Sequence, residues 1–439
     1  MESWLILIIT LILSFFISFF LKSNKQKKFP PGPSVFSVIT SFLRADADIE
    51  LIARDLKTKY GPIFNLRIGI GIAFRRPSIF VASHSLAYQA LVQQGVVFSD
   101  RPKAAQTSVS IQSNQIILTT LPYGPTWRLL RRNIEYKTNN ILHPSRTKSY
   151  SNVRSRVLST LIQQLRSDSE ATQVITLIEH FRFSVFCLLV LMCFGDKIDQ
   201  HQVEQIKDEL IQLMQEQESV FIPLIEARMK PKTDEDVVAY VDTLLDLEFP
   251  EEKRKFNQGE IVSLCSEFLT GGTDTTSSRN SKTDGVTEEE EIVKEEKMPY
   301  LKAVILEGLR RHPPGHFLQP HKDAPINFMV ADMGLDPLVW ENPLDFNPDR
   351  FLSSDDTEAF DIIGNKEIKM MPFGAGRRVC PGYLLALLHL EYFVANLVWH
   401  FEWKPVDGNN VDLSEKQEFT VMMKNPLCAR IRPRVNQLE

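Results

Sequence analysis

The sequence predicts a mainly α-helical protein with a small β-sheet subdomain, an α+β arrangement, preceded by one N-terminal transmembrane helix. Apolar residues recur at three- and four-residue spacing over most of the chain, which is the period of an amphipathic helix. Two short segments rich in β-branched and aromatic residues lie early, between Ile63 and Ala82, and predict strands. The chain also opens on an uncharged apolar segment, from Ser3 to Leu21. Many helices with a few early strands are typical of the α+β class.

The composition is that of a folded protein and excludes several classes. The chain has 439 residues, 43% of them hydrophobic, which is enough to bury a large core. Its formal net charge of -5 argues against a nucleic-acid partner, because nucleic-acid-binding proteins carry a basic surface. Its cysteines form no CxxC pair, which argues against a structural zinc site and favours reduced thiols facing the cytosol. The five cysteines are Cys187, Cys193, Cys265, Cys380 and Cys428.

The first element in chain order is a candidate membrane anchor, residues 3–21. It is about as long as the roughly 20 apolar helical residues that cross a bilayer. A cleavable signal peptide would have a basic start and a small-residue cleavage site, and neither is clear here. Lys22 and further lysines follow, so the positive-inside rule places the C-terminal side in the cytosol. A buried core helix is the alternative, and the flanking charges favour the anchor.

A stiff hinge is predicted at residues 22–34, before a globular domain at residues 35–439. The hinge is basic and ends in the run PPGP that starts at Pro30. Proline fixes φ and cannot continue a helix, so this run separates the anchor from the globule.

The globular domain then alternates its two early strands with a long succession of helices. The strands are the segments IFNLRI and SIFVAS. The helices are assigned from apolar spacing, with proline favouring a first turn at Pro299. They are predicted at Val153–Leu165, Val174–Phe194, Val203–Gln217, Glu260–Leu269, Pro299–Arg311 and Tyr383–Trp403.

Residues 372–382, PFGAGRRVCPG, form the most informative motif of the chain. Glycines such as Gly374 let a backbone approach a flat ligand closely. Cys380 precedes a helix predicted to begin at Tyr383, and a helix N-terminus stabilises a thiolate. The two arginines before it add positive charge, and Phe373 can shield the sulfur from water. A buried cysteine before a core helix is the alternative, but it would not require the full pattern.

This motif resembles the heme-binding signature of cytochromes P-450, F-x-x-G-x-R-x-C-x-G. The resemblance covers nearly the whole chain in order and is closest to plant microsomal A-type members. It implies the cytochrome P-450 fold, heme b (iron protoporphyrin IX) as cofactor, and Cys380 as the iron ligand of a heme-thiolate catalytic domain at residues 35–439. Thiolate ligation favours O–O cleavage. The fixed positions are Phe373, Gly376, Arg378, Cys380 and Gly382.

Residues 271–276, GGTDTT, resemble the oxygen-activation motif of the same family, A/G-G-x-D/E-T-T. Glycine costs about 1 kcal/mol in a helix relative to alanine, and two glycines here would widen the groove over the heme. The resemblance implies that Asp274 and Thr275 are the catalytic residues that relay protons. The alternative is a helix C-cap followed by an Asp-Thr N-cap.

Four further residues are implied to bind the heme propionates. Trp127 and Arg131 fit the family's W-x-x-x-R and share a helical face, and a guanidinium suits a carboxylate. Arg378, within the cysteine motif, and His321, after a proline, are the other two. A lone histidine is more often a surface or core residue.

A structural charge network is implied by two other motifs. Glu307 and Arg310 lie at i and i+3 on one helix face and can pair. Arg350 lies in a segment that resembles the family's P-x-R-F. In the family the three form a buried network, and a buried ion pair needs such extra partners to offset desolvation.

The resemblance implies insertion of one oxygen atom from O2 into a small lipophilic substrate at the endoplasmic reticulum membrane. Electrons would come from NADPH through a separate cytochrome reductase, and the chain shows no nicotinamide or flavin motif. A basic patch would dock that reductase, because complementary charge guides encounter. Ordinary surface charge is the alternative. The patch is Arg128, Arg131, Arg132, Lys369, Arg377 and Arg378.

The chain departs from the family in length. It looks shortened after Thr276, where polar, glutamate-rich residues 277–297 follow at once and predict an early helix end. It also looks shortened after His321, and between Gly195 and Val237 where relatives carry lid helices. Small insertions are expected at residues 68–76 and 135–140.

These departures keep other functions open. Missing helices would uncover apolar surface worth about 25 cal/mol per Å², and a domain is stable by only about 5–15 kcal/mol. One alternative is therefore a catalytically defective remnant. Another is a membrane-tethered heme protein without oxygenase activity. A heme-thiolate isomerase or dehydratase is a third, and Asp274 and Thr275 argue against it.

Overall fold

The computed structural model describes most of the chain. The anchor segment 3–21, apart from Thr10, lies outside the described residues, as does the expected insertion at 68–76. So do residues 136–140 of the expected insertion at 135–140 and residues 278–297 of the polar segment 277–297. The described residues are 10, 29–34, 37–38, 48–67, 77–102, 117–135, 141–172, 174–210, 214–231, 236–277, 298–321, 325–352, 360–406, 411–417 and 420–434.

The chain divides into two compact units, residues 1–81 and 82–439. In the smaller unit, helix α1 (Ile49–Tyr60) is capped by the Asp48 carboxylate and ends at Gly61, whose φ of 91° suits glycine. The antiparallel strands β1 (Ile63–Leu66) and β2 (Ser78–Val81) follow. Both early strands are therefore confirmed. They pair with each other, which allows each to bury the apolar side chains on one of its faces.

The larger unit is mainly helical, as the sequence predicts. A π-helical turn, Gln89–Gln93, joins its first two helices. The helices, in chain order, are α2 (His84–Tyr88), α3 (Gly95–Phe98), α4 (Pro125–Ile134), α5 (Pro144–Ser149), α6 (Ser151–Ala171), α7 (Leu177–Phe194), α8 (Gln200–Leu210), α9 (Met214–Arg228), α10 (Tyr240–Leu245), α11 (Gln258–Ser277), α12 (Pro299–Arg311), α13 (Val330–Gly334) and α14 (Tyr383–His400).

Helix α7 is the centre of the core. Its residues are apolar on nearly every side, so it is stable only where other elements surround it, here α6, α10 and α11. Among the described residues it is the helix long and apolar enough to cross a membrane, but 67% of it is buried inside the protein. It is therefore a core helix.

The helix predictions hold with three corrections. The helix predicted at Val174–Phe194 begins three residues later, at Leu177, because Ile175 and Thr176 form a strand. Within the segment 203–217, predicted as one helix, residues 203–210 belong to α8 and residues 214–217 to α9, while 211–213 lie outside the described residues. The described part of the stretch between Gly195 and Val237 therefore contains two helices. Residues 401–403, predicted as the end of a helix, are strand. They belong to β5 (Phe401–Pro405), which pairs antiparallel with β8 (Cys428–Pro433). Backbone pairing with a strand distant in sequence overrides the local apolar pattern.

Short strands complete the larger unit. The strand β3 (Ile175–Thr176) lies on the other edge of β8, and the sheet order is β3-β8-β5. The strand β4 (Ile326–Phe328) precedes α13. The strands β6 (Glu415–Gln417) and β7 (Val421–Met423) pair antiparallel, and both lie between β5 and β8 in the sequence. The helices of this unit, rather than its small sheets, enclose the cavity described next.

Candidate active site

A cavity of about 410 Å³ lies within the larger unit. Helices α4, α7, α11 and α14 contribute to its wall, together with the loops at 314–321 and 372–382. These loops run past the N-terminal end of α14 and the C-terminal end of α12. Residues far apart in the sequence therefore meet around one cavity, which is the usual form of a cofactor or substrate site.

Cys380 lines this cavity at the end of a tightly folded loop. Its backbone N–H donates to the carbonyl of Phe373 at 2.8 Å, and α14 begins three residues later at Tyr383. The glycines of the loop are required by its shape. Gly374 and Gly376 have φ of 72° and 69°, and a Cβ on Gly376 would lie 1.9 Å from the Leu91 carbonyl oxygen.

Opposing influences act on the Cys380 thiol. Burial raises its pKa, while a backbone N–H at Gly382 and the charge of Arg131 lower it. The expected contribution of the two preceding arginines is not what the structure shows. Arg377 is exposed and donates to the Tyr123 hydroxyl at 2.9 Å.

Arg378 is held by backbone carbonyls. Its guanidinium donates to the carbonyls of Ser99 at 2.8 Å, Leu118 at 3.2 Å and Leu121 at 2.6 Å. It lies over the Trp127 ring with 4.5 Å between the guanidinium carbon and the ring centroid. Burial, with the nearby charge of Arg101, lowers the pKa of Arg378 to about 9.

Arg101, which the sequence analysis missed, shares this part of the cavity wall. It donates to the carbonyls of Thr119 at 2.9 Å, Gln319 at 2.9 Å and Pro320 at 3.1 Å. Burial lowers its pKa to about 10. Within the described ranges neither Arg101 nor Arg378 forms an ion pair with a carboxylate, so both charges favour an anionic ligand in the cavity.

Trp127 and Arg131 also face the cavity from one side of α4, as the W-x-x-x-R spacing predicts. The Trp127 indole N–H is buried and has no acceptor among the described residues. Arg131 is buried, and its Nε donates to Glu135 Oε1 at 2.8 Å. A buried donor without an acceptor is costly, so a ligand that brings carboxylate oxygens fits these residues.

His321 lies in the same wall and is nearly inaccessible. Its Nδ1 is 2.8 Å from the carbonyl of Phe98. Because a carbonyl only accepts, Nδ1 carries a hydrogen. Burial and the charge of Arg101 lower its pKa to about 4, so the ring is neutral near pH 7 and Nε2 is an acceptor. His321 would need a second proton before it could donate to a carboxylate.

Asp274 and Thr275 are consecutive on α11, but their side chains meet different surroundings. Thr275 lines the cavity, and its hydroxyl donates to the Gly271 carbonyl at 2.7 Å. Asp274 is absent from the cavity wall, and its Oδ1 lies 3.2 Å from Nε of Arg182 on α7. Helix α11 runs through both residues to Ser277, so the alternative interpretation, a helix C-cap followed by an Asp-Thr N-cap, is wrong.

The structure brings Glu307, Arg310 and Arg350 together outside the cavity. Glu307 and Arg310 are fully buried, with two contacts of 2.7 Å between guanidinium and carboxylate. Arg350 Nε lies 3.2 Å from Glu307 Oε1, and the Asn347 N–H also donates to that oxygen. Arg310 further donates to the Gly334 carbonyl at 2.6 Å. These extra bonds offset the desolvation of the pair.

The predicted basic patch divides into two sets. Arg131 and Arg378 point into the cavity wall and do not belong to the surface. The other four side chains are exposed, so they alone can meet a partner. They are Arg128, Arg132, Lys369 and Arg377.

A second residue that the sequence analysis passed over is Glu267 on α11. The signal for it was present, because Glu267 is a carboxylate inside the apolar run LCSEFL. For Arg101 no comparable signal exists, since nothing near it in sequence fits a motif. It joins the site only through contacts with residues some 220 positions later.

Comparison with known proteins gives consistent results. The family model "Cytochrome P450" (P-450) matches residues 30–225 and 287–429. The chain is 42% identical to cytochrome P-450 89A9 of Arabidopsis thaliana, covering 98% of this chain and 99% of that protein. It is 28% identical to geraniol 8-hydroxylase of Catharanthus roseus, and the alignment covers 97% of this chain and 99% of that protein. The alignment to the first relative is 513 residues long, so that relative carries segments this shortened chain lacks.

Solved structures agree on the fold. A cyanobacterial P-450, CYP120A1 with retinoic acid bound, superposes with a TM-score of 0.70 at 17% identity, covering 92% of this chain and 99% of that one. A zebrafish cytochrome P-450 with abiraterone superposes with a TM-score of 0.67 at 19% identity, covering 88% of this chain and 99% of that one. The family model, the plant relatives and the fold thus point to one conclusion. The chain belongs to the cytochrome P-450 family of monooxygenases, in a shortened plant form, and its cofactor is heme.

Proposed function

We propose that this chain is a membrane-anchored monooxygenase that inserts one oxygen atom from O2 into a small lipophilic molecule, with electrons from NADPH through a separate reductase. One observation carries the proposal. Cys380, from the loop before α14, and Thr275, from α11, line the same cavity. A sulfur ligand and a hydroxyl proton donor beside one enclosed space are the parts that such a reaction needs from the protein.

Cys380 is the proposed iron ligand, and Phe373 and Gly374 shape the loop that presents it. Trp127 and Arg131 are the proposed propionate partners, with Arg378 and the newly found Arg101. Heme bound in this way would supply the activation of O2. His321 belongs to the proposed set as well. A carboxylate beside it would raise its pKa, because an opposite charge favours the protonated ring.

Thr275 and Asp274 are the proposed proton-relay residues. Thr275 presents its hydroxyl to the cavity, while Asp274 is partly exposed and lies beside Arg182. A proton can therefore arrive at Asp274 from solvent on one side of α11 and reach the cavity at Thr275 on the other. The proposed relay runs across the helix rather than along one face of it.

The cavity wall between these groups favours a lipophilic substrate. Leu189, Tyr240, Leu264 and Phe268 contribute much of the wall on the side of α7, α10 and α11. Apolar surface removed from water stabilises binding by about 25 cal/mol per Å². The wall therefore discriminates in favour of apolar molecules.

The proposed redox partner is an NADPH–cytochrome reductase at the endoplasmic reticulum membrane. Arg128 and Arg377 are exposed, and each guanidinium lies within 6 Å of the Tyr123 ring centroid. A cationic surface of this kind favours encounter with an acidic partner. Residues 3–21 are the proposed anchor and 22–34 the hinge, which keep residues 35–439 on the cytosolic side.

A reduced, carbon monoxide difference spectrum of the chain in microsomes tests the proposal. We expect the Soret band of a thiolate-ligated heme, and its loss in Cys380→Ser. Cys428→Ser is the matched control, because Cys428 is a partly exposed thiol on β8 away from the cavity wall. Heme absent from the purified chain, or a band that survives Cys380→Ser, would contradict the assignment.

A heme protein without oxygenase activity is the second candidate, favoured by the segments that the 513-residue alignment shows to be missing. A normal thiolate band without product formation, in the presence of reductase and varied lipophilic substrates, would favour it over the monooxygenase. Failure of the chain to incorporate heme would instead favour a defective remnant.

A further inference from the structure

Glu267 is a carboxylate in the cavity wall that the proposed function does not use. It lies on α11 about two turns before Thr275. Its Oε2 accepts from the backbone N–H of Leu118 at 2.6 Å, and its Oε1 accepts from that of Thr119 at 2.7 Å. Two short bonds from consecutive N–H groups to one carboxylate are charge-assisted, and bonds of that kind are roughly twice as strong as neutral ones.

The segment that Glu267 holds is itself part of the arginine-rich wall. The carbonyl of Leu118 accepts from Arg378 at 3.2 Å, and the carbonyl of Thr119 accepts from Arg101 at 2.9 Å. In the peptide group between Leu118 and Thr119, the N–H thus donates to the carboxylate of Glu267, and the carbonyl accepts from the guanidinium of Arg378. Hydrogen bonds arranged in this way polarise and strengthen one another.

The segment has little else to fix it. Residues 118–120 form a turn that belongs to no helix or strand, and Thr119 is exposed. Among the described residues, the further backbone bond that holds it is the one from the Leu121 N–H to the Ile117 carbonyl. A turn of this kind would exchange its amide hydrogens quickly unless the carboxylate retained them.

We propose that Glu267 is a positioning residue that holds the turn at 117–121 in the cavity wall. The backbone carbonyls of this turn in consequence orient Arg101 and Arg378 toward the heme. The second half of this proposal rests on the proposed heme-binding role of the arginines. The first half does not, because it concerns only α11 and the turn. The two halves therefore have separate readouts.

Glu267→Gln tests the first half with almost no change in side-chain volume. One carboxylate oxygen becomes an NH2 group, which is a donor and cannot accept from the backbone N–H that it faces. Glu260→Gln is the matched control. Glu260 lies on the same helix and accepts from Arg254 at 2.8 Å and from the Asn257 N–H at 2.8 Å, but it is absent from the cavity wall.

Hydrogen exchange on the full-length protein in lipid nanodiscs, resolved over peptides that contain residues 117–121, is the first measurement. We expect Glu267→Gln to accelerate exchange at Leu118 and Thr119 roughly tenfold or more, the size of one charge-assisted hydrogen bond. Glu260→Gln should leave these rates unchanged. A folded Glu267→Gln protein with wild-type exchange over 117–121 would overturn the proposal.

Transfer of heme to excess apomyoglobin is the second measurement. We expect several-fold faster transfer from Glu267→Gln than from wild type or Glu260→Gln, because Arg101 and Arg378 lose the carbonyls that orient them. Faster amide exchange without faster heme transfer would refute the coupling to the arginines. If the wild type holds no heme, the function proposed above fails, and the exchange measurement still decides the role of Glu267.

Two further measurements cover a variant that does not fold. Glu267→Asp keeps the charge but is one methylene shorter, and we expect it to protect the two amides less than glutamate does. Wild-type exchange alone is also decisive. If Leu118 and Thr119 exchange at the rate of an unstructured chain in the folded wild type, the carboxylate does not hold the turn.

Discussion

At the residue scale, the two neighbours Asp274 and Thr275 face different surroundings. A helix turns 100° per residue, so consecutive side chains leave it toward different surroundings. Here one side chain meets Arg182 on α7 and the other meets the cavity. The motif specified which residue types are present, while the packing of α7 against α11 specified which of them reaches the cavity.

Replacing Thr275 with alanine should lower product formed per NADPH by about tenfold or more, since a positioned proton donor contributes about 10²–10⁴-fold. The thiolate-type carbon monoxide band should persist, because the hydrogen bonds that the Thr275 hydroxyl makes with described residues stay within its own helix. Thr270→Ala is the control: Thr270 makes the same bond to the Ser266 carbonyl but is exposed and outside the cavity wall. Equal turnover in Thr275→Ala and Thr270→Ala would exclude the relay role.

His389 gives the fold a dependence on acid pH. It is almost inaccessible on α14, and burial, with the charge of Arg154, lowers its pKa to about 3. In the unfolded chain a histidine has a pKa of about 6.5. Between these values the unfolded state binds a proton that the folded state does not, so the free energy of unfolding falls as the pH falls from 6.5 toward 3.

We expect His389 to account for roughly 2 kcal/mol of stability lost between pH 7 and pH 5, because each pH unit inside this window is worth about 1.4 kcal/mol. Urea unfolding at the two pH values measures it. His389→Gln should flatten the dependence, while His201→Gln, which alters an exposed histidine, should not. An unchanged slope in His389→Gln would show that the ring is protonated in the folded state.

At the element scale, the close approach of α7 and α11 shapes the cavity. Gly271 and Gly272 are adjacent on α11, but only one of them is at the contact. A Cβ on Gly272 would lie 2.7 Å from Leu189 Cδ1, whereas a Cβ on Gly271 would meet no atom of the described residues outside its own helix within 4 Å. The two glycines of the motif therefore have different roles. Gly272 allows α11 to pack closely against α7, and Gly271 leaves space open in the cavity.

Alanine substitution separates these two reasons. Gly271→Ala should stabilise the chain by up to about 1 kcal/mol, the usual gain from replacing glycine within a helix. Gly272→Ala should be less stable than Gly271→Ala by about 1–2 kcal/mol, since overpacking a core costs about 1–3 kcal/mol. Urea unfolding of the two variants measures the difference, and the opposite order of stability would contradict the assigned contact.

The ends of elements were the least predictable part of the fold. Helix α12 begins and ends where its proline and its apolar spacing indicate, at Pro299 and Arg311. Helix α14 instead stops at His400, three residues earlier than its apolar pattern suggests. Phe401 and Trp403 are as apolar as the helix, and they form a strand because β8 offers them a partner. Local sequence carries no information about that partner.

At the scale of the whole molecule, the anchor and the heme domain should be separable. The family match begins at residue 30, after the proposed anchor at 3–21. Deleting residues 3–21 should move the protein from the carbonate-resistant membrane fraction toward the soluble fraction, while the thiolate-type band is retained. Replacing the segment with an unrelated apolar helix of equal length should restore membrane retention. Full retention after the deletion would mean that another surface binds the membrane.

The sequence by itself determined the family, the mainly helical class, the early strands, and the residue types that surround the cavity. The family followed from the resemblance of the cysteine motif to the family signature. The helical class and the strands followed because glycine, proline and apolar spacing act locally. Cys380, Thr275, Trp127, Arg131, Arg378 and His321 all line the cavity that the structure contains.

Only the tertiary structure decided where those side chains point. It assigned Asp274 to Arg182, removed Arg131 and Arg378 from the surface patch, and added Arg101 and Glu267 to the wall. Each of these outcomes depends on a contact between segments distant in sequence, such as Arg101 with Gln319 and Glu267 with Leu118. Burial and hydrogen bonding across such distances are properties of the packed chain, and no local pattern encodes them.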